Sequence, residues 1–230
     1  MKLLALETST ECLSVALLNE DNVSFKEELT PQKHAELILP LIDALLKENS
    51  ITKDDLDGIV LGVGPGSFTG VRIAASTAQG LALGLNLKVA LVTSLKALAL
   101  ESFEHRSAQY VVSSIDARMG EVYLAVYKNE NGILSLLDEE RVLKPEDALL
   151  KIKELTSDSI DVIFGGSGVE VLKNAGLNKD FEKFSDFPGA QYLLKEGLLK
   201  FTTGEVVDPE NALPLYVRNE VTWKKVNEQK

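Results

Sequence analysis

The sequence is short of the residues that usually carry covalent or metal chemistry: its 230 residues include one cysteine, two histidines and one tryptophan. The lone Cys12 permits no internal disulfide, which excludes a disulfide scaffold and makes a reducing cytoplasm the expected compartment. A histidine pair at metal-binding spacing is missing, because the position four residues after His34, where a second ligand would share its helix face, is Ile38. No uncharged apolar run approaches the ~18 residues of a membrane span. The amino terminus reaches Glu7 after four apolar residues, too few for a signal-peptide core. Basic residues are also in deficit, 24 against 35 acidic ones, for a formal net charge of −11. That balance repels phosphate backbones, so the chain alone is expected to bind RNA or DNA poorly.

What is present is ordinary for a folded protein, with 45% apolar and 26% charged residues in a length that fits one large domain or two small ones. Strands are expected at residues 3–6, 12–18 and 23–29, joined by links short enough to make antiparallel neighbours. Pro31 then opens a helix carrying Leu37, Ile38, Leu41, Ile42, Leu45 and Leu46, with Pro40 bending it. A buried strand over 57–63 runs into the glycine loop Gly62, Gly64, Gly66, Gly70, followed by a helix over 69–83, a strand over 88–92 and a helix over 94–103. This closes a β-β-β-α-β-α-β-α unit, with a boundary at Glu104-His105-Arg106-Ser107.

The second half starts the plan again. Strands are expected at 110–115, 121–127 and 133–137, a helix at 145–155, a strand at 161–164 and a helix at 168–175. A constant shift lays Asp116 on Glu7 and Ala125 on Ala16, and a second apolar strand runs into Gly165, Gly166 and Gly168. The chain therefore reads as a duplicated α/β protein of two similar domains, 1–105 and 106–230. Past residue 176 only a helix near 191–201 and an extended tail over 209–218 are expected.

Few motifs carry chemistry. The glycine loop at 62–70 offers backbone N–H groups and a helix start to an anion, and is equally well read as a tight strand-to-helix turn. It is no P-loop, since no lysine lies between Lys53 and Lys88, and its spacing is not the dinucleotide fingerprint. Ser67 and Ser167 lack the Gly-x-Ser-x-Gly elbow. Cys12 reads as a small buried apolar residue with Ser14 outward, and His105 as a solvated link residue. Glu7 and Asp116 each end a strand at the turn facing a possible cleft. After the glycine loop, Gly70, Ala74, Ala78 and Ala82 form a ridge of small side chains beside the row Ile73, Thr77 and Leu81. A smooth ridge admits another helix closely. The preceding helix, through Leu37, Leu39, Leu41, Ile42 and Leu45, has more apolar surface than one sheet covers, which points to a protein partner.

These segments together resemble the TsaB (YeaZ) family over residues 1 to about 225. The resemblance is carried by Leu4-Ala5-Leu6-Glu7-Thr8-Ser9-Thr10, by His34 ahead of Leu39-Pro40, and by the run Gly64-Pro65-Gly66-Ser67-Phe68-Thr69-Gly70-Val71-Arg72. Asp116-Ala117-Arg118-Met119-Gly120-Glu121-Val122-Tyr123 and Pro214-Leu215-Tyr216-Val217-Arg218-Asn219 complete it. It implies a duplicated actin-like (sugar kinase/Hsp70/actin, ASKHA) fold. It also implies a non-catalytic role in forming threonylcarbamoyladenosine at position 37 of tRNAs that read codons beginning with A. In that family the catalytic, metal-bearing subunit is TsaD, with TsaE as an accompanying ATPase and TsaC supplying threonylcarbamoyl-AMP. Metal and ATP are thus expected on the partners, tRNA contact only through the complex, and no cofactor on this chain.

The resemblance further implies docking on TsaD, and homodimerisation in isolation, through the amino-terminal helices. The positions that carry this over are His34, Leu37, Leu41, Gly70, Arg72, Ala74, Ala78 and Ala82. Arg118, Arg218, Lys224 and Lys225 add to a composite tRNA surface with Arg72. The alternative is an independent ATPase or small-molecule kinase of the same fold, with Glu7, Thr8, Ser9, Thr10, Asp116 and Arg118 lining a phosphate or nucleotide cleft and acidic residues holding Mg²⁺ through water. A glycoprotease has least support, for want of a triad or metal cluster.

Overall fold

A computed structural model describes residues 1–178 and 180–217. The first half runs β1 (Lys2–Glu7), β2 (Cys12–Asn19), β3 (Asn22–Leu29), α1 (His34–Glu48), β4 (Gly58–Gly62), α2 (Phe68–Leu85), β5 (Lys88–Val92) and α3 (Ser94–His105). The second runs β6 (Tyr110–Arg118), β7 (Glu121–Glu130), β8 (Ile133–Leu136), β9 (Arg141–Leu143), α4 (Pro145–Thr156), β10 (Val162–Gly165) and α5 (Gly168–Asn174). A last helix, α6 (Ala190–Thr203), precedes a 3-10 turn at Pro209–Asn211. Arg218, Asn219, Lys224 and Lys225 lie outside the described residues.

Each half builds a sheet whose first strand is antiparallel to the second and parallel to a later one. The first sheet has the order β3-β2-β1-β4-β5 and the second β10-β6-β7-β8, with β9 also on β7. Strand β4 runs parallel to β1, and β10 parallel to β6. The constant shift between halves does not survive in the pairing: Ala5 faces Ala16, whereas Ser113 faces Ala125. The second hairpin is tighter and carries a register shift between Asp116 and Arg118.

Helices α1 and α2 cover one face of the first sheet, through Ile38, Ile42, Leu45, Ala74 and Ala78 against Leu4, Leu6, Leu13 and Val15. The opposite face, Leu3, Ala5, Ala16, Leu18 and Val60, is covered by Ala190, Leu193 and Leu194 of α6. Helix α3, from the first half, lays Leu95, Leu98 and Ala99 on Val111, Ile115 and Ala125 of the second sheet. Burial on both faces corrects the expectation for β2: Cys12 and Ser14 share a side of the strand and both are buried. Ser14 gives its hydroxyl to Glu27 at 3.2 Å and accepts the Ala190 amide at 2.8 Å, so it helps seat α6.

Helix boundaries follow local chemistry. Ser67 caps α2 by accepting the Gly70 amide at 3.3 Å, and Thr93 caps α3 by accepting the Lys96 amide at 3.2 Å. Pro145 opens α4, where its missing donor has no cost. Pro31 does not open α1. The helix starts at His34, and Pro31 lies in the turn before it.

Candidate functional site

Glu7, Thr8, Ser9 and Thr10, at the end of β1, are 0%, 0%, 1% and 7% exposed. The glycine loop between β4 and α2 closes onto them. A Cβ on Gly66 would stand 2.2 Å from the Ser9 carbonyl oxygen, one on Gly70 2.0 Å from that of Thr8, and one on Gly62 2.3 Å from Glu7 Oε2. The Ser67 amide donates to the Ser9 carbonyl at 2.6 Å, and the Thr8 hydroxyl to the Gly70 carbonyl at 2.7 Å. Gly66 and Gly70 are thus required by backbone-to-backbone approach and Gly62 by the Glu7 carboxylate, and the atoms they meet belong to the protein itself. The second half repeats the device: a Cβ on Gly166 would stand 2.1 Å from the Ser114 carbonyl oxygen.

Inside this closure the Glu7 carboxylate accepts the Ser9 amide at 2.6 Å and the Ser94 hydroxyl at 2.7 Å. Burial raises its pKa above the ordinary carboxylate value, and these hydrogen bonds oppose the rise. Asp116 is half-buried and accepts the Arg118 amide at 2.8 Å. The Arg118 guanidinium reaches both Asp116, at 3.4 Å, and Glu11 on the β1–β2 turn, so one cation ties the two halves across the proposed cleft. The six cleft candidates therefore do not form one open wall: four are buried under the glycine loop, and Asp116 and Arg118 are paired outside it.

The interface candidates divide differently. His34 is 5% exposed, with Nε2 3.0 Å from the Thr10 carbonyl oxygen, so it anchors the start of α1 to the β1–β2 turn. Ala74, Ala78 and Ala82 are each 0% exposed and belong to the core under α1. Gly70 is buried against Thr8. The ridge of small residues therefore faces inward and lets α2 approach its own sheet and α1. Ala78→Asp is expected to lower stability by about 3 kcal/mol or more, because it buries an unpaired charge. Thermal unfolding would show the loss in the isolated chain, and an unchanged transition would place Ala78 at the surface. The outward stripe of α2 is instead Ser76, Gly80, Leu83 and Gly84, with Leu83 75% exposed. On α1, Leu37 and Leu41 are half-buried, while Leu39 and Pro40 are exposed.

Sequence reading gave no sign of a second cluster at the junction of the halves. Glu140, the last of three consecutive acidic residues, accepts the Thr93 hydroxyl at 2.5 Å and the Tyr127 hydroxyl at 3.3 Å. Burial pushes its carboxyl up to about 7. Lys96, one turn into α3, donates to the Leu134 carbonyl at 2.7 Å and pairs with Glu196 at 3.6 Å. Cys12 is inert by environment, its thiol pushed up to about 12, mainly by burial. His105 ends α3 and stacks on Phe184 with ring centroids 5.9 Å apart. Among the described residues no three of His, Cys, Asp or Glu converge as a metal-ligand set, and no helix is long and apolar enough to cross a membrane.

Two tandem α/β units, each with three antiparallel strands followed by a parallel strand and a glycine-bearing turn into a helix, define a duplicated protein of the actin-like class. Residues 25–195 match the family model described as TsaD: tRNA N6-adenosine threonylcarbamoyltransferase. The chain is 40% identical over 229 residues to the tRNA threonylcarbamoyladenosine biosynthesis protein TsaB of Escherichia coli (strain K12), covering 98% of both chains. It is 35% identical to the protein so named from Haemophilus influenzae, covering 98% of this chain and 97% of that one. The solved structure of YeaZ from Pseudomonas aeruginosa superposes with a TM-score of 0.83 at 36% identity, covering 94% of this chain and 100% of that one. The chain belongs to the TsaB (YeaZ) family.

Proposed function

We propose that the protein is a non-catalytic subunit in the formation of threonylcarbamoyladenosine at position 37 of tRNA, which holds and activates a TsaD subunit in a complex that also includes TsaE. The observation that carries this reading is the full-length identity to proteins named for that biosynthesis. The geometry at His34 supports an accessory role. Its ring is occupied by the Thr10 carbonyl, and Ile38, at the position of a second helix-face ligand, is 2% exposed in the core. The kinase or ATPase alternative needs the turn of Thr8 to Thr10 open to a phosphate, and the glycine loop fills that space with protein backbone.

TsaD docks, in this reading, on the outward faces of α1 and α2. The contact residues are Leu37 and Leu41 together with the stripe Ser76, Gly80, Leu83 and Gly84, where two glycines with nothing within 4 Å leave room for a close helix. The same surface serves a homodimer when TsaD is absent. Leu83→Asp is expected to leave the fold intact and to weaken TsaD binding by about ten-fold or more. Nucleoside mass spectrometry of bulk tRNA from depleted cells tests both levels. Loss of threonylcarbamoyladenosine, restored by the wild-type chain but not by Leu83→Asp, is the expected result. Unchanged modification after depletion would overturn the pathway assignment, and full rescue by Leu83→Asp would overturn the docking face.

A further inference from the structure

At the start of α2 one arginine differs from the other described arginines. Of the four described arginines, Arg106, Arg118 and Arg141 each pair with carboxylates, whereas Arg72 has no carboxylate at ion-pair distance among the described residues. Its guanidinium lies over the Phe68 ring, 3.3 Å from the centroid, with the Tyr216 ring at 5.0 Å. Nη1 donates to the Phe68 carbonyl at 2.7 Å. This is its one hydrogen bond to a described residue, so among the described residues the rest of the planar donor fork is uncommitted.

The cluster is built rather than incidental. Tyr216 arrives on the tail segment, which is fixed by the buried Ala212 and by the Leu215 amide donating to the Val63 carbonyl at 2.9 Å, beside the glycine loop. Phe68 follows the Ser67 cap directly. Two segments far apart in sequence thus bring exposed rings, Phe68 at 66% and Tyr216 at 51%, to one guanidinium. Stacking fixes the plane of the fork and lowers the entropy lost when it binds a bidentate acceptor. The exposed Leu213 and Leu215 extend an apolar rim on the same segment.

We propose that Arg72, held by Phe68 and Tyr216, is the anchor for a carboxylate side chain of the docked partner protein, set beside apolar residues that cover the two rings. Arginine and aromatic residues ringed by apolar contact make the usual energetic centre of a protein interface. A nucleic-acid phosphate fits the fork equally well, but the net charge of −11 opposes a polyanion and leaves a local carboxylate as the better match. The inference rests on the docking of TsaD proposed above and specifies the chemistry at one end of that surface.

Calorimetric titration of cognate TsaD into the full chain tests it, at about 0.1 M and about 0.5 M salt. Arg72→Ala is expected to weaken binding by about ten-fold or more at low salt and to reduce the salt dependence. Arg72→Lys, which keeps the charge but loses the fork and the stacking, is expected to recover only part of the loss. Circular dichroism is the check that both variants are folded. Affinity for Arg72→Ala within about two-fold of wild type at both salts would overturn the proposal. So would unchanged TsaD affinity combined with weaker tRNA binding by the assembled complex, which would assign the fork to a phosphate. If Leu83→Asp binds normally and Arg72→Ala does not, the α1/α2 face falls and the Arg72 anchor stands. Absence of TsaD binding by the wild-type chain overturns both.

Discussion

Gly70→Ala is expected to lower the stability of the chain by about 3 kcal/mol, and Gly66→Ala by a similar amount. The new methyl carbon would stand 2.0 Å from the Thr8 carbonyl oxygen in the first variant and 2.2 Å from the Ser9 carbonyl oxygen in the second. Both obstacles are backbone, so the loop or the β1–β2 turn must move. Movement breaks the Thr8–Gly70 contact at 2.7 Å or the Ser67–Ser9 contact at 2.6 Å, which hold the two segments together. Gly80→Ala is the internal control, since it lies in the same helix with nothing within 4 Å of its added carbon. There alanine is expected to stabilise the chain by about 0.5–1 kcal/mol through helix propensity. Urea unfolding should therefore give opposite signs for one chemical change at two places in α2. A Gly70→Ala chain as stable as wild type would show that the close approach is not needed.

Wild-type stability is also expected to fall as pH rises through the range set by Glu140, whose carboxyl is raised from 4.5 to about 7. Between those values the folded chain keeps a proton that the unfolded chain releases. The contribution is complete below the unfolded value and is lost as pH climbs through the folded one. The shift corresponds to about 3 kcal/mol. Burial is the largest cause, and among the described residues Oε2 of Glu140 has no hydrogen-bond partner to offset it. Glu140→Gln removes the titration, so its stability relative to wild type should increase by about 3 kcal/mol between about pH 5 and about pH 8. Glu101, also raised to about 7 by burial, titrates in both chains and cancels in the comparison. Denaturant titrations at stepped pH measure the difference. A constant offset across that range would mean that Glu140 ionises at its ordinary value.

The order of elements was legible because strand and helix periods alternate clearly and the connecting segments are short. Strand β5 falls at residues 88–92 as expected, and β9, three residues long, is too short to leave a period. Orientation was harder to read. Spacing shows that Gly70, Ala74, Ala78 and Ala82 share a face of α2, but it does not say which face looks inward, and that ridge packs on its own core. Alternation fails for the same reason in β1 and β2, where nearly every residue is buried because helices lie on both sides of the sheet. The glycine loop was visible as a motif, yet its ligand-like partner is the chain's own Thr8–Ser9 backbone, a contact between segments far apart in sequence. Glu140 carries no local signal at all. Its setting is made by Thr93 and Tyr127, from two different halves.

The crossing of α6 to the first sheet has a consequence for synthesis. Leu3, Ala5, Ala16, Leu18 and Val60 are covered by Ala190, Leu193 and Leu194. While the ribosome is still making the second half, the first 105 residues carry an α1–α2 side that still lacks Ala212 and Val207, and an opposite side on which Ala97 of α3 packs but α6 does not yet lie. Nascent domains usually close one after another in the order they emerge. Here the first must wait for the end of the chain, and through that interval its open face is a natural resting place for a chaperone.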